Sequence, residues 1–259
     1  MTEANVDLAS SALREFGCEG LDARAVLKAA LARGGVFAEL FFEDVVATRV
    51  FYEGGRVDRV LEGRDAGCGI RVIQDLRSVY AYTTELTQEA LLALANSLAA
   101  TRSVKSVTVK DWGDWTAPRV GASLMQNYRI EKSPRDAALA DKIKLAERAE
   151  RSVRELLPDA RQVTAVSIDS SRRILVINSD GVVAPDSKTY TQMVVQVVGE
   201  KDGRVESAYE SDGGYVGLEF YDRVPPEEIG REAARRVAVL LDAKPAPSGT
   251  MPVVIAAEA

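Results

Sequence analysis

The chain has 259 residues, with 33 Lys and Arg against 39 Asp and Glu, a formal charge of −6. Hydrophobic residues make up 46% and charged residues 28%, an ordinary globular mix. A folded chain of this size buries about 73% of its surface, enough for a core without disulfides. The acidic balance speaks against sequence-independent nucleic-acid binding, which depends on neutralising phosphates. There is no histidine, which excludes Ser-His-Asp and Cys-His catalysis, imidazole proton shuttles and every His-bearing zinc site. The two cysteines, Cys18 and Cys68, form no CxxC pair, so buried, reduced thiols are expected. No apolar run approaches a membrane span, and the polar start Met1–Asp7 is unlike a signal peptide, so a cytoplasmic protein is expected.

In chain order, Leu8, Ala12 and Phe16 recur at helical spacing before Gly17. Asp22 can cap a second helix that buries Ala25, Leu27, Ala30 and Leu31 and ends at Gly34-Gly35. Short segments rich in β-branched and aromatic residues follow: Val36–Glu43, Val45–Tyr52, Arg56–Leu61, Gly69–Gln74 and Ser78–Thr83. Gly54-Gly55, the run Gly63 to Gly67 and the corner Asp75–Arg77 separate them, as in a β-meander. Thr87 starts a third helix whose apolar face is Leu91, Leu94, Ala95 and Leu98. Ser133-Pro134 predicts a long helix, with Ser133 as N-cap, running to Leu157 before Pro158. Its charges Lys142, Lys144, Glu147, Arg148, Glu150 and Arg151 read as a solvated face. Strands return at Gln162–Asp169, Arg173–Asn178, Val182–Ala184, Lys188–Gly199 and Arg204–Asp212. In Lys188–Gly199, Thr191, Met193, Val195 and Val197 alternate with Tyr190, Gln192, Val194 and Gln196, which predicts a central strand. Pro225-Pro226 opens a last helix to Leu241, and Met251–Ala256 is expected to be one more strand.

Runs of strands bracketed by helices predict an α+β fold, with two consecutive, mainly antiparallel sheet domains flanked by helices. The boundaries are 1–103 for the first domain, 104–132 for a connecting segment, 133–243 for the second domain, and 244–259 for a linker with the start of a third unit.

The motifs carry little chemistry of their own. Gly67-Cys68-Gly69 enters a strand, whereas a phosphate cradle needs its glycines to follow a strand and open a helix. A tight bend or close backbone approach is the expected role of Gly67 and Gly69. Asn178-Ser179-Asp180-Gly181 reads as a corner turn, and Ser179 has no histidine to activate it. Asp111-Trp112-Gly113-Asp114-Trp115 reads as Trp packing on a loop, and Gly213 to Gly217 as a wide turn. No catalytic or metal-ligating residue is assigned.

The order of these motifs resembles the amino-terminal half of the TldD/PmbA metallopeptidases, once described as modulators of DNA gyrase. Ala38–Glu43, Gly67–Val72 with Tyr80–Thr83, Ile177–Gly181, Gly213–Gly217 and Pro247–Ile255 follow one another as in that family. The last segment looks more like TldD than PmbA. The positions that carry the resemblance are Gly67, Gly69, Arg71, Asn178, Ser179, Gly181 and Gly217, and structural roles are expected of them. The resemblance implies a zinc peptidase acting on extended or unfolded peptides, with a His-Glu-x-x-x-His helix that this sequence does not contain. No cofactor is therefore expected in this chain, and zinc is expected in the full-length protein. The implied role is non-catalytic: surfaces for assembly and for a substrate channel, in a homo- or hetero-oligomer with a family member, with neither nucleic acid nor membrane as partner. The alternative is a stand-alone, metal-free protein that pairs with a full-length relative. An unrelated enzyme using carboxylates and Tyr is a third reading, for which no spacing singles out a pair.

Overall fold

The computed structural model describes residues 3–74, 77–101, 129–246 and 248–255. Six strands form one antiparallel sheet in the order β3-β2-β1-β4-β5-β6. They are β1 (Phe37–Glu53), β2 (Arg56–Gln74), β3 (Arg77–Thr83), β4 (Gln162–Asn178), β5 (Val183–Lys201) and β6 (Arg204–Gly214). The helices are α1 (Glu3–Glu15), α2 (Ala23–Leu31), α3 (Gln88–Ala100), α4 (Leu139–Leu156), the short α5 (Phe220–Arg223) and α6 (Pro226–Asp242). The expected α+β, mainly antiparallel class is what the chain forms. The two runs of strands lie edge to edge, joined by fifteen register pairs from Glu39↔Asn178 to Glu53↔Thr164.

Side-chain parity explains the layering. A strand turns alternate residues to opposite faces. Ala38, Leu40, Phe42, Val50 and Tyr52 of β1 are all even-numbered and buried, so one face of the strand carries them. The first three join Val26, Leu27, Leu91, Ile70, Leu175 and Ile177 in a hydrophobic cluster under α1, α2 and α3. Val50 and Tyr52 join Ala149, Val153, Val195, Val197 and Val237 in a second cluster under α4 and α6. Both helical layers thus cover the same face of the sheet. Neither cluster contains an odd-numbered residue of β1, and the opposite face stays half-buried or exposed among the described residues.

Several predicted elements merge. Val36–Glu43 and Val45–Tyr52 are one strand that runs through Asp44. Arg56–Leu61 and Gly69–Gln74 are likewise one strand, with Gly63 to Gly67 inside it. The same holds for the pairs that make β4 and β5. β5 lies between β4 and β6, so the strand read as central is interior. The helix predicted from Ser133 starts instead at Leu139, with Ala138 as an N-cap that makes no side-chain bond. Residues 251–255 form no strand, and Ala256 lies outside the described residues. The same is true of Asp111–Trp115 and nearly all of the connecting segment 104–132.

Candidate functional site

Two features of the sheet carry unusual chemistry. The first is the sheet face beside β3, which no helix covers among the described residues. Gly67 and Gly69 occupy β2 opposite Thr83 and Tyr82 territory: Cys68 pairs with Thr83, and Gly69 with Tyr82. A Cβ on Gly67 would meet the Thr83 carbonyl oxygen at 2.8 Å, and one on Gly69 would meet Tyr80 Cε2 at 2.6 Å. The missing side chain of Gly69 leaves room over which Tyr80 leans, and Tyr80 stacks on Tyr82 with ring centroids 6.5 Å apart. Tyr80 and Tyr82 are 60% and 71% exposed, unusual for neighbouring aromatic residues. A cleft of about 120 Å³ opens here, lined by Phe41, Glu43, Asp65, Gly67, Tyr80 and Tyr82. Its flanking charges are mostly paired. Arg71 bonds Glu39 at 2.8 Å, and Arg172 bonds Glu43.

The other expected positions pin loops. Ser179 donates its N–H to the Ala38 carbonyl at 2.8 Å, and its Oγ accepts from the Ala38 N–H at 3.1 Å. The Asn178 side chain accepts from the N–H groups of Asp180 and Val182 at 2.9 and 3.0 Å, and Gly181 sits at φ 85°. Together they fasten the β4–β5 turn to the start of β1. A Cβ on Gly217 would collide with the Lys132 carbonyl and meet Ile130 Cγ2 at 2.9 Å. Glu219 beside it accepts from the N–H groups of Gly217 and Lys132 at 3.0 and 2.8 Å. Burial would raise the Glu219 carboxyl, but these backbone donors outweigh it and hold it low.

The second feature went unseen in the sequence: a buried polar seam between the two hydrophobic clusters. Asp44 is fully buried and accepts from Arg64 at 2.8 Å, Arg135 at 3.1 Å and Arg173 at 2.6 Å. Burial alone would raise the Asp44 carboxyl; the three guanidiniums outweigh that and hold it at about 2. One turn of pleat further, Lys142 donates to Asp169 at 2.8 Å and to Thr48 Oγ1 at 2.9 Å. Lys142 is 4% exposed, so it is not part of a solvated face, and neither is buried Glu150. Burial pushes the Asp169 carboxyl up against the opposing pull of Lys142. The one available signal was Lys142, at helical spacing with Ala146, Ala149 and Val153.

Zinc does not fit these residues. No histidine exists to ligate it. Cys18 and Cys68 are free thiols inside the first hydrophobic cluster, and burial pushes both upward, away from the thiolate a metal needs. Among the described residues no three Cys, Asp or Glu converge as a metal site.

Comparison with known proteins places this arrangement. The profile for PmbA/TldA metallopeptidase domain 1 matches residues 38–101, and that for the PmbA/TldA metallopeptidase central domain matches residues 132–241. The chain belongs to the PmbA/TldD family. A metalloprotease of Methanothermobacter thermautotrophicus is 26% identical over 214 residues, which are 79% of this chain and 43% of that protein. A metalloprotease TldD homolog of Haemophilus influenzae is 25% identical over 231 residues, 85% of this chain and 46% of that protein. The chain thus spans less than half the length of these PmbA/TldD relatives. Two crystal structures share the fold. One, of a protein described as a modulator of DNA gyrase from Bacteroides thetaiotaomicron, has a TM-score of 0.65 at 15% identity, over 96% of this chain and 52% of that one. The other, TldE from Thermococcus kodakarensis, has a TM-score of 0.61 at 18% identity, over 83% and 47%. Among the described residues no helix is long and apolar enough to cross a membrane.

Proposed function

We propose that this chain supplies a non-catalytic, peptide-facing part of a TldD-like zinc metallopeptidase, and that hydrolysis takes place on zinc-binding residues these 259 positions do not contain. The observation that carries this reading is the joint match to the family's first and central domains in a sequence without histidine. The division at 1–103 and 133–243, with a connection between, belongs to the same proposal. So do a cytoplasmic setting, assembly with a copy or a family member, and structural roles for Gly67, Gly69, Arg71, Asn178, Ser179, Gly181 and Gly217. The flank of β2 from Arg56 to Gly67, which has no strand beside it among the described residues, supports it, because an extended peptide recognises a sheet by adding main-chain hydrogen bonds at an edge. The test joins this chain to the zinc-binding part of a TldD homolog and measures cleavage of unfolded casein. Chelator-sensitive cleavage is expected. A fusion that holds stoichiometric zinc and leaves casein intact refutes the reading.

A second reading, a metal-free binding protein that pairs with a full-length relative, has its own support. The described residues build two hydrophobic clusters of their own. Co-purification with a full-length TldD homolog tests it, and two proteins that migrate separately at micromolar concentration refute it.

A further inference from the structure

The cleft beside Tyr80 and Tyr82 lies where the outer flank of the sheet changes. β3 pairs only with Cys68–Gln74 of β2. The earlier part of β2, Arg56 to Gly67, has no strand on that side among the described residues. Such a flank offers unpaired main-chain donors and acceptors to an added strand. The added strand would run at about 4.8 Å from β2, in line with β3. Its side chains on the uncovered face would then stand in the row of Asp65 and Gly67, beside the Tyr82 ring.

The chemistry of that row is specific. Two exposed aromatic faces and two carboxylates, Glu43 and Asp65, line the cleft. The cations nearby are engaged. Arg71 holds Glu39, Arg172 holds Glu43, Arg64 turns to Asp44 on the opposite face, and Arg59 lies over the Phe51 ring at 4.0 Å. Asp65 makes no ion pair among the described residues. The same sheet face therefore already uses a cation over an aromatic ring, and the cleft sets exposed tyrosines beside carboxylates on that face.

We propose that this corner recognises a basic side chain, Lys or Arg, of an extended peptide added along β2, with the cation between the Tyr82 ring and the Asp65 carboxylate. The proposal rests on the peptide-facing reading above and names the substrate class: peptides with a basic residue flanked by β-formers. Gly69 is part of the recognition, because a side chain there would fill the space under the Tyr80 ring, and one at Gly67 would press on the Thr83 carbonyl at the end of β3.

The test is binding of the fluorescein-labelled peptide Val-Thr-Arg-Thr-Val-Thr to the 259-residue protein, measured by anisotropy. The same peptide with citrulline for Arg keeps the length and planar end of the side chain, removes the charge and replaces one donating NH2 group by an accepting carbonyl oxygen. Tighter binding of the Arg peptide, by about fivefold or more, is expected from a cation–π contact and an exposed ion pair. Asp65→Asn and Tyr82→Leu should each lower the preference for the Arg peptide about twofold, and the two together should bring it down to the citrulline level. Both positions are exposed, so circular dichroism should report an unaltered fold. Equal binding of the two peptides overturns basic recognition but leaves the sheet edge as a peptide site. Binding of neither peptide, with the protein folded, overturns this proposal and the peptide-facing reading together.

Discussion

Replacing Asp44 by Asn should be the most informative single change in this fold. The carboxylate is fully buried and is the common acceptor for Arg64, Arg135 and Arg173. Asparagine keeps the volume but offers one acceptor oxygen and turns an amide N–H₂ toward a guanidinium. Three cations then share no anion within the seam, apart from Glu15, which lies 3.9 Å from Arg173 at the surface. Breaking a buried pair of this kind costs about 3–5 kcal/mol. The acid dependence gives a second, independent figure. A carboxyl moved from an ordinary 3.8 to about 2 contributes about 2–3 kcal/mol at neutral pH. For an acid held low in the folded state, that contribution is complete above the unfolded value and is lost as the pH falls through the folded one. The window is therefore about pH 4 down to about 2. Urea unfolding followed by far-UV circular dichroism at pH 7, 5, 4, 3 and 2.5 reads both quantities. Wild type should lose stability steeply below pH 4, and Asp44→Asn should start about 3 kcal/mol lower and fall less steeply. A variant within about 1 kcal/mol of wild type at pH 7, or parallel acid limbs, refutes the claim that the three arginines depend on this one charge.

Three further changes probe other parts of the scaffold. Lys142→Met leaves Asp169 buried without its cation and should cost about 3–5 kcal/mol. The loss should be larger at pH 8 than at pH 5 in urea titrations, because a carboxyl raised by burial favours the protonated form and loses stability as the pH rises. Ser179→Ala removes the acceptor for the buried Ala38 N–H and should cost about 1–2 kcal/mol, with faster exchange of the Ala38 amide by NMR. Gly230→Ala drives a methyl into the Ala149 carbonyl and Ser152 Oγ across the α4–α6 crossing; a thermal melt should show a loss of about 2–3 kcal/mol, and an unchanged melting temperature would mean the helices are not that close.

Much of the layer plan was legible because parity and helical spacing survive in the residues that form the two hydrophobic clusters. The alternation of Thr191, Met193, Val195 and Val197 gave β5 its buried face, and Leu91, Ala95 and Leu98 gave α3 its own. The strand ends were misread wherever a polar residue interrupted the pattern. Asp44 looked like a break between two strands, because nothing local shows that arginines at positions 64, 135 and 173 will meet it. Gly63 to Gly67 looked like a loop for a related reason. The first part of β2 has no strand beyond it, so its residues are exposed on both faces and lack the alternation that burial enforces. The start of α4 was misplaced because Ser133-Pro134 satisfies a local helix-start rule, while the chain is held there by a different partnership. Lys132 pairs with Asp222 and, through its backbone, with Glu219. Lys142 and Glu150 sat in a run with exposed Lys144 and Arg151 and half-buried Glu147 and Arg148; their spacing with Ala146, Ala149 and Val153 hints at the buried side, and the docking of α4 on β1 and β4 decides it.

The seam also bears on why the two halves of the chain meet in one register. β1 and β4 are long, apolar and alternating at both ends, so a shift by two residues would keep every buried side chain on the buried face. Hydrophobic contact alone therefore discriminates poorly among such registers. In the observed one, Asp44 stands opposite Arg173, and Thr48 stands opposite Asp169, where Lys142 bridges both. A shift of two would set Asp44 against Ser171 or Leu175 and part Lys142 from one of its two acceptors. Each alternative leaves a buried charge without its partner, at a cost of about 3–5 kcal/mol. The hypothesis that follows is that the polar seam fixes register more than it adds stability. If it holds, a quadruple variant Asp44→Leu, Arg173→Leu, Lys142→Met, Asp169→Leu, which removes both partners of each of these two pairs, should stay folded yet show more than one set of β1–β4 cross-strand contacts by NMR. A single, native set would assign the register to the turns and helices instead.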